Sequence, residues 1–453
     1  MLSAEENETL TMTGPSTAMG ELMRRYWQPI LLRDELPDIR PAKEVKIMGE
    51  DLVVFRDEQG RYAALARNCS HRGADLSFGR LEDGGLRCPY HGWLYDADGQ
   101  CIEQPAEPEG STYSTKVVHP AYPCQERNGI IYAYMGGDAP PLFPAFDWNV
   151  APEAHVFVFK AYQEANWLQA NEGEIDPAHL SYLHRYLSDE MDDETSYGLD
   201  QFLDVAEGTD IPVTRILREK LNPQLEIENT SFGVRIFSLR DIGKFMHVRV
   251  TNFLFPNAAV VAVGTDWGLA QIHVPIDDQH NWRFDIMYGY RNPMDKETLA
   301  RERLQTYTVP DYMPKRNLSN RYGFDAEEQL TRTYIGIGSD INTHDSWAIE
   351  GAGPIQNRAV EHLGYTDKAI AAARRMLLQG LRDIEEGGAL PNRFHDDTEN
   401  HYDHLVTIDT VSPVAEWRTG YVDRHVSRRN RSPWAANEDG SRLEALRLQT
   451  TTT

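Results

Sequence analysis

The chain has only 4 cysteines among its 453 residues, and it lacks any long apolar run. So few cysteines exclude a disulfide framework and are typical of a reducing compartment. No segment approaches the roughly 18 consecutive apolar residues that suggest a membrane-spanning helix. The acidic segment 1–10 also lacks the apolar core of a signal peptide. These absences predict a cytoplasmic protein that is not inserted in a membrane.

Basic residues are scarce as well. Lysine and arginine number 45 against 70 aspartates and glutamates, which gives a net charge of −25. Such a surface repels nucleic acid and anionic lipid, so we expect binding to neither. An anionic substrate would need a local positive pocket. The chain is long enough for two or three domains, and its 41% hydrophobic residues are sufficient for a core in each.

Two short loops carry the first chemical signal. Residues 69–71 read Cys-Ser-His and residues 88–91 read Cys-Pro-Tyr-His, so each loop offers one thiolate and one imidazole. Structural zinc sites usually pair like ligands, as in C-x-x-C and H-x-x-x-H. A Rieske [2Fe-2S] cluster instead places two Cys on one iron and two His on the other. The loops therefore predict such a cluster on Cys69, His71, Cys88 and His91, with zinc as the alternative.

A second group of metal-type ligands follows in the next part of the chain, at Asp176, His179 and His184. Two imidazoles and one carboxylate on a facial array leave open positions on ferrous iron. Asp-Pro is also a common helix start, so Asp176 could simply be a capping residue. Residues five apart lie about 140° apart on an ideal helix. Both histidines can therefore face one metal only if the helix is widened or broken between them.

The pattern of the first third predicts a small β domain. An apolar stripe at Met19, Leu22, Met23 and Tyr26 indicates a short docking helix. Short alternating strands and tight turns then surround the two Cys/His loops. Several prolines crowd residues 140–152, which is typical of a linker. We therefore predict a domain over residues 1–150 that comprises the docking helix and the cluster domain.

The remainder predicts an α+β domain over residues 151–453. Strand candidates begin near residue 155 and recur from 225 to 290, followed by a helix that Thr366 or Asp367 caps and that stops at Gly387. Consecutive strands followed by helices favour an antiparallel sheet with segregated helices. Residues 389–453 are polar and weakly periodic, and we expect a polar C-terminal tail there.

The cluster segment, with Arg72-Gly73 and Gly92-Trp93 beside its ligands, resembles the Rieske domain of ring-hydroxylating oxygenases. The run from Asn166-Trp167 to His184 resembles the mononuclear-iron motif of their α subunits. Residues 343–364 are similar to the same region of the phthalate 4,5-dioxygenase oxygenase-component group. The resemblance covers about residues 15–385, and it implies an N-terminal all-β Rieske domain followed by an antiparallel-sheet helix-grip (START-like) catalytic domain.

The resemblance also implies site residues. It places mononuclear Fe(II) on His179, His184 and a third ligand from the region around residue 345, for which Asp345 is the best candidate. Asp340 and Glu350 are rivals, and Asp345 could instead cap a helix. Asp176 corresponds to the family's bridging residue, which links a cluster histidine of one subunit to an iron-ligating histidine of the next.

The implied function is a terminal oxygenase that hydroxylates an aromatic carboxylate, phthalate-like, with O2. Electrons would come from NAD(P)H through a separate reductase carrying flavin and a plant-type [2Fe-2S] centre, and no Gly-rich nucleotide fingerprint occurs in this chain. Subunits would form a homotrimer or stacked trimers. O-demethylation of a methoxylated aromatic acid and pure Rieske electron transfer are the alternatives. Arg235 and Arg249 are candidate carboxylate clamps, unless they are solvated strand residues.

Overall fold

The computed structural model describes residues 1–187, 209, 211–263 and 266–435. Its first part contains ten short strands in two antiparallel sheets, which run in the order β1-β10-β9-β4-β3-β2 and β5-β6-β7-β8. These strands are β1 (Gln28–Leu32), β2 (Ala42–Ile47), β3 (Glu50–Arg56), β4 (Tyr62–Ala66), β5 (Arg80–Glu82), β6 (Gly85–Arg87), β7 (Leu94–Asp96), β8 (Cys101–Glu103), β9 (Ala121–Arg127) and β10 (Ile130–Ala133).

The second part is built on one larger antiparallel sheet in the order β11-β17-β16-β15-β14-β13-β12, with β18 pairing to β14. Its strands are β11 (Val156–Gln163), β12 (Gln224–Asn229), β13 (Gly233–Asp241), β14 (Phe245–Leu254), β15 (Ala258–Val263), β16 (Trp267–Pro275), β17 (Asn281–Gly289) and β18 (Ile408–Pro413). Almost every residue of β13, β14 and β17 is buried, because helices and loops cover both faces of the sheet.

The α-helices surround this sheet. They are α1 (Ala4–Thr11), α2 (Ala18–Arg24), α3 (Asp147–Val150), α4 (Trp167–Glu174), α5 (Val213–Glu219), α6 (Lys296–Thr306), α7 (Ala326–Thr331), α8 (Ile341–Glu350), α9 (Lys368–Glu386) and α10 (Trp417–Asn430). The long helix α9 packs on β12 and β13, and α4 packs on β15 and β16. The predicted α+β class, with an all-β first part and an antiparallel sheet in the second, is confirmed.

The helix predicted at the N-terminus is α2, which packs against α9. Its Arg24 also donates to Glu50 Oε1 of β3 at 2.8 Å, so α2 contacts both parts of the chain. Met19, Leu22 and Met23 are fully buried, as their spacing indicates. Ahead of it, the backbone N–H of Thr13 donates to Asp278 Oδ1 at 2.8 Å. Residues before β1 therefore contact the second part of the chain. The division into domains 1–150 and 151–453 stays a prediction.

The predicted cap of α9 differs in detail. Asp367 directly precedes the helix, but its side chain makes no capping bond there. Its Oδ2 instead accepts the backbone N–H of Gly364 at 2.5 Å. Asp367 therefore closes the turn before the helix, which ends at Gly387 as predicted.

The expectation of a polar tail is wrong for residues 389–435. Strand β18 pairs with β14, and α10 packs on β18. Val406, Ile408, Trp417, Tyr421 and Val422 form an apolar cluster with residues of β13 and β14. Polar residues of this segment are buried as well, because they pair with residues distant in the sequence. Its buried positions therefore do not produce an apolar periodicity. Residues 436–453 of the expected tail lie outside the described residues.

No helix in the described part of the chain combines the length and the apolar character that crossing a membrane requires.

The hairpin at residues 96–99 offers a test of the first part's packing. Gly99 has φ +79°, and a Cβ on it would lie 2.1 Å from the carbonyl oxygen of His119. We expect Gly99→Ala to destabilise the protein through both the left-handed conformation, about 1–2 kcal/mol, and the overlap. Gly60→Ala is the matched control, because Gly60 has φ +84° with open space around it. Urea unfolding should show a clearly larger loss for Gly99→Ala, and equal losses would contradict the packing described here.

Candidate metal centres

The two Cys/His loops fold into turns of the same design. The N–H of Cys69 donates to the carbonyl of Ala74, and the carbonyl of Cys69 accepts from the N–H of Gly73. Cys88 makes the equivalent pair with Trp93 and Gly92. Each cysteine is buried at the start of its turn. The two loops therefore have the same backbone conformation, and a cluster held by one Cys and one His from each loop requires such a pair.

The histidines of these loops meet on the opposite side of the site. The rings of His71 and His91 lie 4.5 Å apart between centroids. His71 stacks on Trp93 at 4.4 Å, with an interplanar angle of 5°. Its Nδ1 is shielded from solvent and has no hydrogen-bond partner among the described residues. A buried polar atom without a partner is unfavourable, so this donor fits a metal ligand.

The thiols also fit a cationic cluster. Burial and the neighbouring Cys69 raise the pKa of the Cys88 thiol, so two adjacent thiolates require positive charge between them. Tyr95, which the sequence analysis missed, places its hydroxyl 3.1 Å from Cys69 Sγ. A hydrogen bond to a ligating sulfur tunes a cluster's potential. No local signal marks Tyr95, because it reaches the cysteine from strand β7.

These contacts lead to a prediction for His91. Replacing it with Cys exchanges a neutral imidazole for a thiolate, which should lower the potential of the cluster from the range of about −150 to +300 mV toward about −400 mV. Voltammetry of the purified variant measures this shift. Tyr90→Phe is the control, since the ring of Tyr90 lies 3.8 Å from that of His91 but supplies no ligand. A cluster that assembles with unchanged potential would exclude His91 as a ligand.

The second group of ligands is assembled from two separate segments. His179 starts a short 3₁₀ helix, His179–Ser181, that ends before His184, so the chain between the two histidines is not a continuous α-helix. Asp345 lies on α8. Its Oδ1 is 3.1 Å from His184 Nε2 and 3.8 Å from His179 Nε2. The three donor atoms all lie within 4.8 Å of one another, close enough to share one metal ion.

The electrostatics of this group suit a divalent cation. Burial alone would raise the pKa of Asp345, but His184, His179 and Arg283 hold it at about 2. Burial and the neighbouring His184 lower the pKa of His179. At neutral pH the site therefore offers a carboxylate and a neutral imidazole, which are the protonation states that ferrous iron needs.

A further histidine, His344, orients one of the ligands, and the sequence analysis did not single it out. Its Nε2 lies 2.8 Å from the carbonyl oxygen of Gly338, and its Nδ1 lies 3.2 Å from His184 Nδ1. Burial lowers the pKa of His344 to about 4, so the ring is neutral. With the His344 proton on Nε2, its Nδ1 accepts from His184 Nδ1–H. His184 Nε2 then keeps a lone pair that points toward Asp345.

The two rival carboxylates are occupied elsewhere. Asp340 caps α8, where its Oδ1 accepts the N–H of Asn342 at 2.9 Å. Glu350 accepts the N–H of Glu164 at 3.1 Å and the hydroxyl of Tyr322 at 2.5 Å. Asp176 lies beside the triad. Its Oδ1 accepts the N–H of Ala178 at 2.7 Å, and its Oδ2 lies 3.9 Å from His179 Nδ1.

A cavity opens on the triad. Apolar side chains cover part of its wall, and polar ones complete it. The lining includes Glu174, Leu180, Arg249, Thr251, Val261, Leu269, Gln271, Ile341 and Asn342. Burial and the charge of Asp345 raise the pKa of Glu174 well above its usual range.

The two candidate arginines have different surroundings, and neither is solvated. Arg235 pairs with Glu228 at 2.8 Å and is not among the residues that line the cavity. Arg249 lines the cavity, and its Nη1 donates to Asp409 Oδ2 at 2.6 Å. Asp409 also lies 2.7 Å from His247 Nε2. Of the two, only Arg249 can meet a substrate beside the triad.

Two family models match the chain. The Rieske [2Fe-2S] domain matches residues 26–121, and the LigXa C-terminal domain matches residues 133–431. The oxygenase subunit of phthalate 4,5-dioxygenase from Pseudomonas putida is 35% identical over 85% of this chain and 88% of that protein. The oxygenase subunit of 5,5'-dehydrodivanillate O-demethylase from Sphingobium sp. is 33% identical over 85% of this chain and 82% of that protein.

Among solved structures, the fluorene-bound oxygenase of carbazole 1,9a-dioxygenase in complex with ferredoxin has the same fold. Its TM-score is 0.54 at 19% identity, over 84% of this chain and 98% of that one. The relatives are oxygenase subunits, which excludes the interpretation of this chain as a zinc protein or as a pure electron carrier. The chain belongs to the Rieske non-heme iron oxygenases and is the terminal oxygenase of such a system, with a [2Fe-2S] cluster and a mononuclear iron.

Proposed function

We propose that this oxygenase hydroxylates an aromatic carboxylate of the phthalate type. The observation that carries the proposal is that Arg249 lines the same cavity as His179, His184 and Asp345. We assign these three residues as ligands of the mononuclear iron. In the cluster, Cys69 and Cys88 would hold one iron, while His71 and His91 would hold the other.

The charge of the cavity wall supports an anionic substrate. Two buried arginines, Arg240 and Arg249, adjoin one carboxylate, Asp409. Burial lowers the pKa of Arg240 to about 10, which leaves it protonated at neutral pH. Arg249 lines the cavity, whereas Arg240 and Asp409 are not among the residues that line it. Two guanidinium groups therefore stand near one carboxylate on this side of the site, and a substrate carboxylate would balance the second of them.

The chain's own residues hold and orient the reacting parts. When bound, the cluster supplies electrons and the mononuclear iron supplies the activation of dioxygen. His344 fixes the tautomer of His184, and Asp176 faces the outer nitrogen of His179. Glu174, whose pKa is raised by burial and by Asp345, also lines the cavity. Leu180, Val261 and Leu269 supply apolar wall surface that excludes water around the ring.

Electron delivery is part of the proposal. We infer a separate NAD(P)H-dependent reductase that carries flavin and a plant-type [2Fe-2S] centre, in a cytoplasmic system. We also infer a homotrimer, single or stacked, in which one subunit's cluster lies beside the next subunit's iron. Tyr90 at the cluster is 57% exposed, so the cluster edge is accessible to a neighbouring chain. Asp176 would then bridge a cluster histidine, His71 or His91, to His179.

Oxygen uptake tests the substrate class. Purified oxygenase with a generic reductase should consume O2 when a phthalate or a benzoate is present, and mass spectrometry should find a hydroxylated ring. Methoxylated aromatic acids form the second arm, because one relative is an O-demethylase subunit. Formaldehyde release in that arm alone would favour demethylation. Uptake with neutral aromatics but with none of the acids would contradict the proposed carboxylate specificity.

A further inference from the structure

A third group of metal-type ligands lies away from the two iron sites, in the turn between α9 and β18. His401, Asp403 and His404 come from four consecutive positions, and their donor atoms all lie within 4.8 Å of one another. Asp403 Oδ1 is 3.4 Å from His401 Nδ1 and 4.0 Å from His404 Nδ1. The turn therefore presents two imidazoles and one carboxylate to a single point.

Each of the two imidazoles has a nitrogen that is available to bind a metal. His401 Nδ1 is shielded from solvent and has no hydrogen-bond partner among the described residues, although Asp403 is close. His404 Nε2 lies 3.1 Å from the hydroxyl of Ser231. When that nitrogen carries the proton and donates it to Ser231, His404 Nδ1 keeps a lone pair toward Asp403. An outer hydrogen bond of this kind orients metal-binding histidines in general.

The backbone of the turn is fixed before any ion binds. Tyr402, between the ligands, is buried against Phe146 and Phe394. The carbonyl oxygen of Asp403 accepts from His425 Nε2 at 3.0 Å, and that of His404 accepts from Arg235 at 2.5 Å. The ligands would lose little conformational freedom on binding a metal, which favours affinity.

The nearby cations do not neutralise the turn on their own. Arg429 pairs with Asp147 at 2.6 Å, and Arg235 pairs with Glu228 at 2.8 Å, so each has a carboxylate outside the turn. Burial alone would raise the pKa of Asp403, but His404, Arg429 and His401 hold it at about 2. Asp403 is therefore an anion at neutral pH. The side chains of His401 and His404 are 34% and 28% exposed, which leaves a path for an ion and for water.

We propose that His401, Asp403 and His404 bind a divalent cation of the zinc type, separate from both iron centres. Zinc takes imidazole and carboxylate ligands in a tetrahedral arrangement, and water would complete the fourth position. The bound ion would stabilise the turn at residues 401–404, which leads into β18. Because β18 pairs with β14, the site stabilises the C-terminal segment on the catalytic sheet. The proposal is independent of the substrate and of the assignment of the iron ligands.

Metal analysis of the iron-loaded holoenzyme tests the site. After equilibrium dialysis against micromolar Zn2+, we expect one additional zinc per chain with unchanged iron content. His404→Ala and His401→Ala should each lose that zinc and keep their iron and the visible spectrum of the cluster. His395→Ala is the matched control, since His395 is an exposed histidine of the same segment. It should bind zinc as the wild type does.

Thermal unfolding provides the second measurement. Zinc should raise the Tm of the wild type and of His395→Ala but not that of His404→Ala, since an ion that binds only the native state stabilises it. The proposal is overturned if the wild type takes up no zinc, if zinc uptake is matched by an equal loss of iron, or if His404→Ala binds zinc as well as the wild type.

Discussion

Replacing Asp345 with alanine should remove most of the mononuclear iron and abolish O2 consumption, while the visible spectrum of the Rieske cluster stays unchanged. Two imidazoles hold ferrous iron weakly, and Asp345 is the charged oxygen donor between them, 3.1 Å from His184 Nε2. Loss of a partner of a metal ligand typically costs about 10–100-fold in affinity, and loss of a ligand itself should cost at least as much. Iron analysis should therefore fall from three irons per chain to about two, the number in the [2Fe-2S] cluster.

The control for this variant is Asp340→Asn. Asp340 caps the same helix, and Asn caps as well as Asp does, so both the helix and the iron should survive. Glu350→Gln extends the comparison, because Glu350 is hydrogen-bonded to Tyr322 rather than to the triad. Full iron and full activity in Asp345→Ala would exclude the assignment. Loss of iron in Asp340→Asn or Glu350→Gln instead would point to that residue.

The second large effect is expected for Asp176→Asn. The amide oxygen of Asn can still accept the N–H of Ala178, so the local turn should be preserved. The variant loses the negative charge that lies 3.9 Å from His179 Nδ1. That charge orients the imidazole and, in the proposed assembly, couples its protonation to the arrival of an electron. We expect both metal contents and the proposed trimer to persist, while electron transfer from cluster to iron slows by about 10–100-fold or more.

Stopped-flow spectroscopy measures this step directly. The reduced enzyme is mixed with O2 and substrate, and the visible absorption of the cluster reports its reoxidation. Asp325→Asn is the matched control, since Asp325 also caps a helix through its side chain but lies on the exposed helix α7. Reoxidation at the wild-type rate in Asp176→Asn would show that Asp176 acts only as a cap, and it would exclude the bridge between subunits.

Local sequence pattern was sufficient for the parts of the site that local chemistry dictates. A [2Fe-2S] cluster with mixed ligands requires Cys and His in short loops, so residues 69–71 and 88–91 can be identified from their spacing. The spacing of His179 and His184 requires a widened or broken helix if both are to face one metal, and the chain between them is not a continuous α-helix. Runs of strand-forming residues likewise indicate strands of the large sheet, although both faces of β13, β14 and β17 are buried.

Tertiary structure decided the parts that depend on partners distant in sequence. Asp345 could be separated from Asp340 and Glu350 only by the contacts that occupy each carboxylate. The sequence alone left Arg249 as one of two candidate strand arginines, but its side chain is buried and paired with Asp409.

The segment after residue 389 shows the same limit. Its sequence is polar, but Asp409, His425 and Arg428 are buried among long-range partners instead of being solvated. Buried charges are stable only when such partners compensate the loss of water. Periodicity along the chain does not reveal that pairing. The sequence by itself therefore determined the metals, the order of the two parts and the sheet, and the fold decided which charged residues surround the iron.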